Sequence, residues 1–307
     1  MSSKAAAANY KPRKIKNSRN DIVFYTVVTV IMAIFTLIVL LPLIYVVSAS
    51  FSSPKDVAAG RVYLWPVNFS LDGYKAVFRY SDIWIGYRNT IFYTIIGTVI
   101  NVGITMLAAF PLTRKELPFR NFFTFLFTFT MFFGGGLIPS YINVKNLGML
   151  NSMWALIIPG AMSVTNMIIA RTFIQSNIPN ELLEAAQIDG CSYGRFFFQM
   201  VLPLSKAVLA VLALYYAVGH WNSYFNALIY IMDKAKKPLQ IFLRDILVVN
   251  TIDSSMLIDP ELMEAKQGIA DLLKYSLIIV ATVPILCVSP FIQKYFMKGV
   301  MIGSLKG

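Results

Sequence analysis

Long apolar runs alternate with short polar connections along most of this chain. The first run extends from Ile22 to Ser48, and Pro42 inside it is expected to kink a helix. A mixed stretch from Phe51 to Tyr87 follows. It carries Trp65-Pro66 and other aromatics suited to an outer membrane surface. The second run covers Asn89–Leu112. The third covers Phe122–Val144 and is interrupted by Gly134-Gly135-Gly136 and Pro139. Such an interruption reads either as a broken helix lining a cavity or as close packing through small residues. Lys145–Asn151 forms a short turn. The fourth run is Trp154–Phe173, and the fifth, Leu204–Met232, is rich in polar and aromatic residues. A long polar loop, Asp233–Asp271, precedes the sixth run, Leu272–Phe296. A helix needs about 20 apolar residues to cross a bilayer. The pattern therefore predicts an all-α polytopic membrane protein with six transmembrane helices. It divides into a basic tail (1–21), a first helix with an outer loop (22–87), a core of five helices (88–297) and a short tail (298–307).

Composition narrows this further. Of the 307 residues, 57% are hydrophobic and only 14% charged, with a mean hydropathy of +0.64. Soluble domains carry about a quarter charged residues. The net charge of +12 sits on loops and is not accompanied by an aromatic-basic nucleic-acid motif, so no nucleic-acid partner is expected. Lys11, Arg13, Lys14, Lys16 and Arg19 crowd the first tail. Arg114, Lys115 and Arg120 lie between runs two and three, and Arg171, Arg195, Lys206, Lys294, Lys298 and Lys306 fall on that same side. Acids there are few, whereas charges on the other side nearly balance. The positive-inside rule then places both termini in the cytoplasm. The first run is too long for a cleaved signal and lacks a small-residue cleavage site, so it reads as a retained first span. Cys191 and Cys287 give no disulfide framework and read as free thiols.

Residues 178–203 form the most patterned connection. Pro179 suits the first position of a helix. Glu181 and Glu184 favour the positive end of its dipole. Leu182, Leu183, Ala185 and Ala186 share one face. Glu184 and Gln187 lie opposite, with apolar Ile188 beside them. Gly190 stops the helix by accepting positive φ, and Ser192 can cap a second helix through three phenylalanines to Pro203. The result is a helix–Gly–helix hook between apolar spans.

Glu184-Ala185-Ala186, three residues, Gly190, nine residues, Met200, one residue and Leu202-Pro203 resembles the EAA loop of ABC-importer permeases. Met200 in place of isoleucine is the one departure. The likeness extends to carbohydrate permeases of the maltose type. It is carried by Pro42-Leu43 with Ser48-Ala49-Ser50-Phe51, Trp65-Pro66 with Tyr74, Asn89-Thr90, Trp221-Asn222, and Gln293–Gly299 with Gly303–Gly307. Phe132-Phe133 and the glycine triplet, with Ile138–Tyr141, resemble a subgroup importing oligosaccharides or their derivatives in Gram-positive bacteria. This resemblance implies a type I ABC importer permease fold in a bacterial plasma membrane. It implies a second homologous permease, two ATP-binding-cassette ATPase subunits that bind ATP and magnesium, and an extracellular substrate-binding protein. This chain itself would carry no cofactor and no ATPase chemistry.

On that reading Glu184, Ala185, Ala186, Ile188, Asp189 and Gly190, with Leu202 and Pro203, couple the ATPase to the pore. Tyr215, Tyr216, Trp221, Asn222, Tyr224 and Asn226 are candidates for the carbohydrate pathway, because sugars are held by aromatic faces and amides. At helical spacing Asn222 and Asn226 share a face and Tyr215 lies near it. The same residues could instead hydrogen-bond between helices. His220 reads as a packing histidine. The tail Gly299–Gly307 either reaches the ATPase pair or is solvated. Two other readings stay open: an ABC permease for a peptide or amino acid, and an ion-coupled secondary transporter. The latter usually needs intramembrane carboxylates, which the apolar runs lack. A membrane enzyme would need a catalytic constellation, and none stands out.

Overall fold

The computed structural model describes residues 18–246, 273–287 and 290. The tails and most of the loop 233–271 lie outside these residues, as does the Gln293–Gly307 motif. No strand occurs among the described residues.

Helix α1 (Arg19–Ser50) starts before the expected Ile22. Ser18 Oγ accepts from the Asp21 amide and the Asp21 carboxylate accepts from the Ser18 amide, at 3.2 and 2.9 Å. Each end of this reciprocal cap satisfies a donor the helix itself cannot. The helix continues through Pro42 as one element. Its apolar side chains are exposed all round and only Ser48, Ala49 and Ser50 are buried, which suits lipid rather than water.

The outer stretch is a folded unit, not a plain loop. It contains α2 (Pro54–Ala58) and α3 (Asp72–Arg79). Ser48 Oγ donates to the Leu64 carbonyl at 2.7 Å, and Ser50 Oγ pairs with the Tyr74 hydroxyl at 2.8 Å. The Phe51 ring stacks on Phe69. Buried Asp56 accepts from Asn68 Nδ2 at 2.7 Å. The Ser48–Phe51 motif thus folds the outer segment back over the end of α1.

Helix α4 (Ser81–Ala109) starts well before Asn89 and runs the height of the molecule, and the 3₁₀ turn Pro111–Thr113 closes it. Next come α5 (Arg120–Phe132) and α6 (Leu137–Asn146), bent by 114° at the glycine triplet. The break is therefore real, with Gly136 at φ 83°. The fourth run is not one helix either. Pro159 and Gly160 split it into α7 (Trp154–Ile157) and α8 (Val164–Asn177), and Ser163 Oγ caps α8 by accepting from the Asn166 amide.

The hook contributes α9 (Asn180–Ile188), α10 (Tyr193–Phe196) and α11 (Leu202–Leu204), with a π-helical turn, Phe197–Val201, between the last two. The expected continuous helix to Pro203 is widened there. Pro203 has no N–H for the Gln199 carbonyl, and a π turn absorbs the mismatch. An 81° bend at Ser205 leads into α12 (Lys206–Trp221). The fifth run then breaks at Asn222–Tyr224 before α13 (Phe225–Tyr230). Asn222 and Ser223 compete for backbone hydrogen bonds and so favour a helix end. Helices α14 (Leu239–Arg244) and α15 (Leu273–Cys287) complete the described chain.

Two stretches, Arg19–Ser50 and Ser81–Thr113, are each long and apolar enough to cross a membrane, and the two bent pairs raise that to four. The remaining expected spans are made of shorter pieces, α7 with α8, and α15. The core is organised along α4. At its Ala109 end, Met106, Ala109 and Phe110 pack with Met167, Ile174, Leu183, Phe196 and Val201. At its Ser81 end, Ile83 packs with Trp221, Leu239, Phe242 and Leu277.

Candidate coupling and translocation sites

Helix α9 joins the core cluster that gathers at the Ala109 end of α4. Leu183 and Ala186 are buried and Leu182 is half-buried, but Ala185 is exposed, so the buried face is narrower than expected. Pro179 is the residue before the first turn, and Asn180 takes the first position. Glu184 and Gln187 are exposed, and Ile188 is 87% exposed.

The helix ends in a Schellman motif. The Cys191 amide donates to the Ala186 carbonyl at 2.8 Å, and the Gly190 amide to the Gln187 carbonyl at 3.0 Å, with Gly190 at φ 74°. Ser192 Oγ then accepts from the Arg195 amide, as the sequence predicts. Arg114 lies beneath the hook, buried, with its guanidinium 4.9 Å from the Phe110 ring centre and Nε donating to Thr113 Oγ1. Burial pushes its pKa down from the ordinary arginine range. A groove between the α4 end and Tyr193 is lined by Phe110, Leu117 and Pro118. Leu202 and Pro203 form the rigid exit from the hook.

The candidate pathway residues separate into two groups. Tyr216 is buried; its hydroxyl pairs with Thr105 Oγ1 at 2.6 Å and accepts from the Ser163 amide at 2.9 Å. Trp221 is buried too, and its Nε1 donates to the Ala281 carbonyl at 3.2 Å. Both therefore tie helices together. Tyr215, Asn222 and Asn226 are exposed and Tyr224 is half-exposed. Asn222 and Asn226 do not share a helix face, because the helix ends between them. His220 is half-buried, and Asn101 Nδ2 donates both to its Nε2 at 3.1 Å and to the Gly160 carbonyl at 3.3 Å. Cys191 and Cys287 are both free thiols.

Tyr216→Phe should lower stability by roughly 1 kcal/mol, because it orphans the Ser163 amide and Thr105 in an apolar setting. Thermal unfolding in detergent reads this as a Tm lower by a few degrees. Uptake should keep its half-saturating substrate concentration. A raised value with unchanged Tm would make Tyr216 a substrate contact instead.

A third feature was not read from the sequence. At the Ser81 end of α4, Asn89 Nδ2 donates to the Ala235 and Lys237 carbonyls at 2.8 and 3.0 Å, and the Tyr93 hydroxyl donates to the Lys236 carbonyl at 2.9 Å. Thr90 Oγ1 accepts from the Leu239 amide at 2.8 Å. Asn89-Thr90 thus clamps residues 235–239 onto α4. Lys234 Nζ reaches Asp82 at 2.6 Å, and this hydrogen bond raises its pKa above the ordinary lysine value. The clamp leaves a pocket of about 480 Å³ at the Ser81 end whose walls include Arg88, Phe92, Trp154 and Lys236.

The helical membrane-type fold, with an exposed hook at one end of its central helix, defines a membrane transport subunit. Residues 83–302 match the family described as binding-protein-dependent transport system inner membrane component, and the chain belongs to that family. It is 42% identical over 294 residues to the polygalacturonan/rhamnogalacturonan transport system permease protein YtcP of Bacillus subtilis (strain 168), covering 95% of this chain and 100% of that one. It is 42% identical over 274 residues to protein LplC of the same organism, covering 88% and 90%. Its fold matches, at a TM-score of 0.82 and 32% identity, a chain of the crystal structure of a bacterial ABC transporter involved in the import of the acidic polysaccharide alginate, covering 92% and 99%. The expected ABC-importer permease fold is therefore the fold found.

Proposed function

We propose that this chain is one half of the membrane path of an ATP-driven, binding-protein-dependent carbohydrate importer, taking an oligosaccharide or a derivative. The observation that carries this is the helix–Gly190–helix hook, which leaves Ile188 and Glu184 exposed and supports reading α9 as a lever. The polysaccharide systems of the relatives support the substrate class. A second homologous permease completes the pore, two ATP-binding-cassette subunits bind ATP and magnesium, and an extracellular binding protein delivers the sugar. ATP hydrolysis resides on those ATPase subunits, and this chain carries no cofactor. Charge distribution supports a cytoplasmic hook and cytoplasmic termini. Within the membrane, Tyr215, Asn222, Tyr224 and Asn226 are free to face the path, while Tyr216 and Trp221 frame it.

Gentle detergent purification from the native membrane, followed by mass spectrometry, tests this. Co-purification of a second permease and an ATP-binding-cassette subunit is expected. Recovery of the chain alone or as a homodimer, under several detergents, would overturn the half-transporter reading.

A further inference from the structure

The pocket at the Ser81 end of α4 has the chemistry of a site for an anionic sugar. Its position comes first. Phe92 and Tyr93 on its wall lie about 26 Å along α4 from Phe110 beside the hook, at ~1.5 Å per residue. The pocket therefore opens on the side opposite the lever, where a delivered substrate first meets the chain. Its size, about 480 Å³, falls in the range of ligand pockets.

Its charge comes next. Asp82, the nearby acid of α4, is held by Lys234. Arg88 is exposed, and Nη2 reaches only the neutral Asn89 Oδ1, at 3.5 Å. No carboxylate pairs with Arg88 among the described residues. Lys236 Nζ donates to the Asn151 carbonyl at 3.0 Å and lies 3.7 Å from Asp233. The pocket thus holds two cations against one acid. Phe92 and Trp154 are 49% and 42% exposed there, and offer apolar faces beside the cations. The geometry is set, not incidental: Asn89 and Tyr93 fix the backbone on both sides of Lys236, and Asn151 anchors the same segment by accepting from the Asp233 amide at 2.9 Å.

We propose that this mouth pocket selects a saccharide carrying a carboxylate, a uronate, which Arg88 and Lys236 bind while its ring rests on Phe92 or Trp154. The inference rests on the carbohydrate-importer reading and narrows its substrate class. A guanidinium matches a carboxylate with paired donors, whereas a neutral sugar leaves that charge unused. Flat aromatic faces beside the cations suit a sugar ring better than a protein loop.

The test uses the full transporter complex in detergent, titrated with trigalacturonate and with its fully methyl-esterified, neutral form. Saturation-transfer NMR reports binding to each. The acid should bind about tenfold more tightly than the ester. Arg88→Gln and Lys236→Gln should each bring the acid close to the ester's level, and Arg88→Lys, which keeps the charge but loses the paired donors, should retain only part of the difference. Equal binding of acid and ester to the wild type, or an Arg88→Gln variant that still prefers the acid, overturns the proposal. ATPase stimulation by the loaded binding protein is followed in parallel. If Arg88→Gln removes stimulation equally with both saccharides, the pocket receives an acidic face of the binding protein and the uronate proposal falls. Failure of the importer reading itself is separately visible, as a purified chain without an ATPase partner.

Discussion

Gly190→Val should leave the transporter assembled but uncoupled, with uptake reduced about tenfold or more, one power of ten in rate for each ~1.4 kcal/mol. Gly190 sits at φ 74°, and a Cβ built there would meet nothing within 4 Å. The obstacle is therefore the backbone alone. An L-residue in this region costs about 1–2 kcal/mol, and a β-branched one more. The chain can avoid that cost by unwinding the Schellman turn, which releases the Cys191–Ala186 and Gly190–Gln187 hydrogen bonds. The end of α9 then loses its fixed direction, and Ile188 with it. Leu183 and Ala186 remain buried in the core cluster, so assembly should survive. Gly190→Asn, which tolerates left-handed backbone, should retain most activity. Uptake and substrate-stimulated ATP hydrolysis, measured on complexes of normal composition, check this. Wild-type uptake by the valine variant would mean that α9 is not the lever.

Gly86→Leu should be the most destabilising single change at the other end. Here the constraint is space. A Cβ at Gly86 would lie 2.8 Å from the Leu239 Cα and 2.8 Å from Phe242 Cδ2. A backbone atom cannot swing aside as a side-chain tip can, so α14 must lift from α4. Overpacking of this kind costs about 1–3 kcal/mol. The seam it opens includes the Leu239–Thr90 hydrogen bond and buried Leu239, Ile241 and Phe242. The mouth pocket rests on the same clamp, so it should loosen too. Thermal unfolding should show a Tm lower by several degrees, and trypsin should cut near Arg244 sooner. An unchanged Tm would mean that α14 does not pack on α4 in solution.

How much of this could be read from the sequence depended on range. The hook was legible because its signals are local. Gly190, Ser192 and Glu181 each act within a turn of their own position, and the structure places them as read, whereas Glu184 falls beyond the first turn of α9. The apolar runs were legible as membrane-type helices for the same reason. Of their breaks, the one at Gly134-Gly135-Gly136 was legible and the others were not. Hydropathy sees the stretch 154–173 as continuous, and only Pro159-Gly160 hinted that α7 and α8 are separate. The break after Trp221 was missed because Asn222 and Ser223 look like ordinary polar residues in an aromatic run. Spacing alone puts Ala185 on the buried face, but the buried strip of α9 is narrower and leaves it exposed. The mouth pocket was invisible because Arg88 and Lys236 are far apart in the chain and meet only through the clamp at Asn89-Thr90. That pair resembles a family pattern in sequence, and its physical role is to hold the return segment. Tyr216 and Trp221 carried the right composition for a sugar path, yet burial shows that they join helices.

The central claim is that Ile188 contacts an ATPase. Cysteine placed there by Ile188→Cys, with Cys191→Ser and Cys287→Ser, allows a direct measurement in the assembled complex. A short thiol–amine cross-linker should join this chain to the ATP-binding-cassette subunit, and the yield should change when ATP is added. An intact complex whose cysteine at 188 reacts freely with a soluble maleimide, but never cross-links to the ATPase in any nucleotide state, would contradict the account.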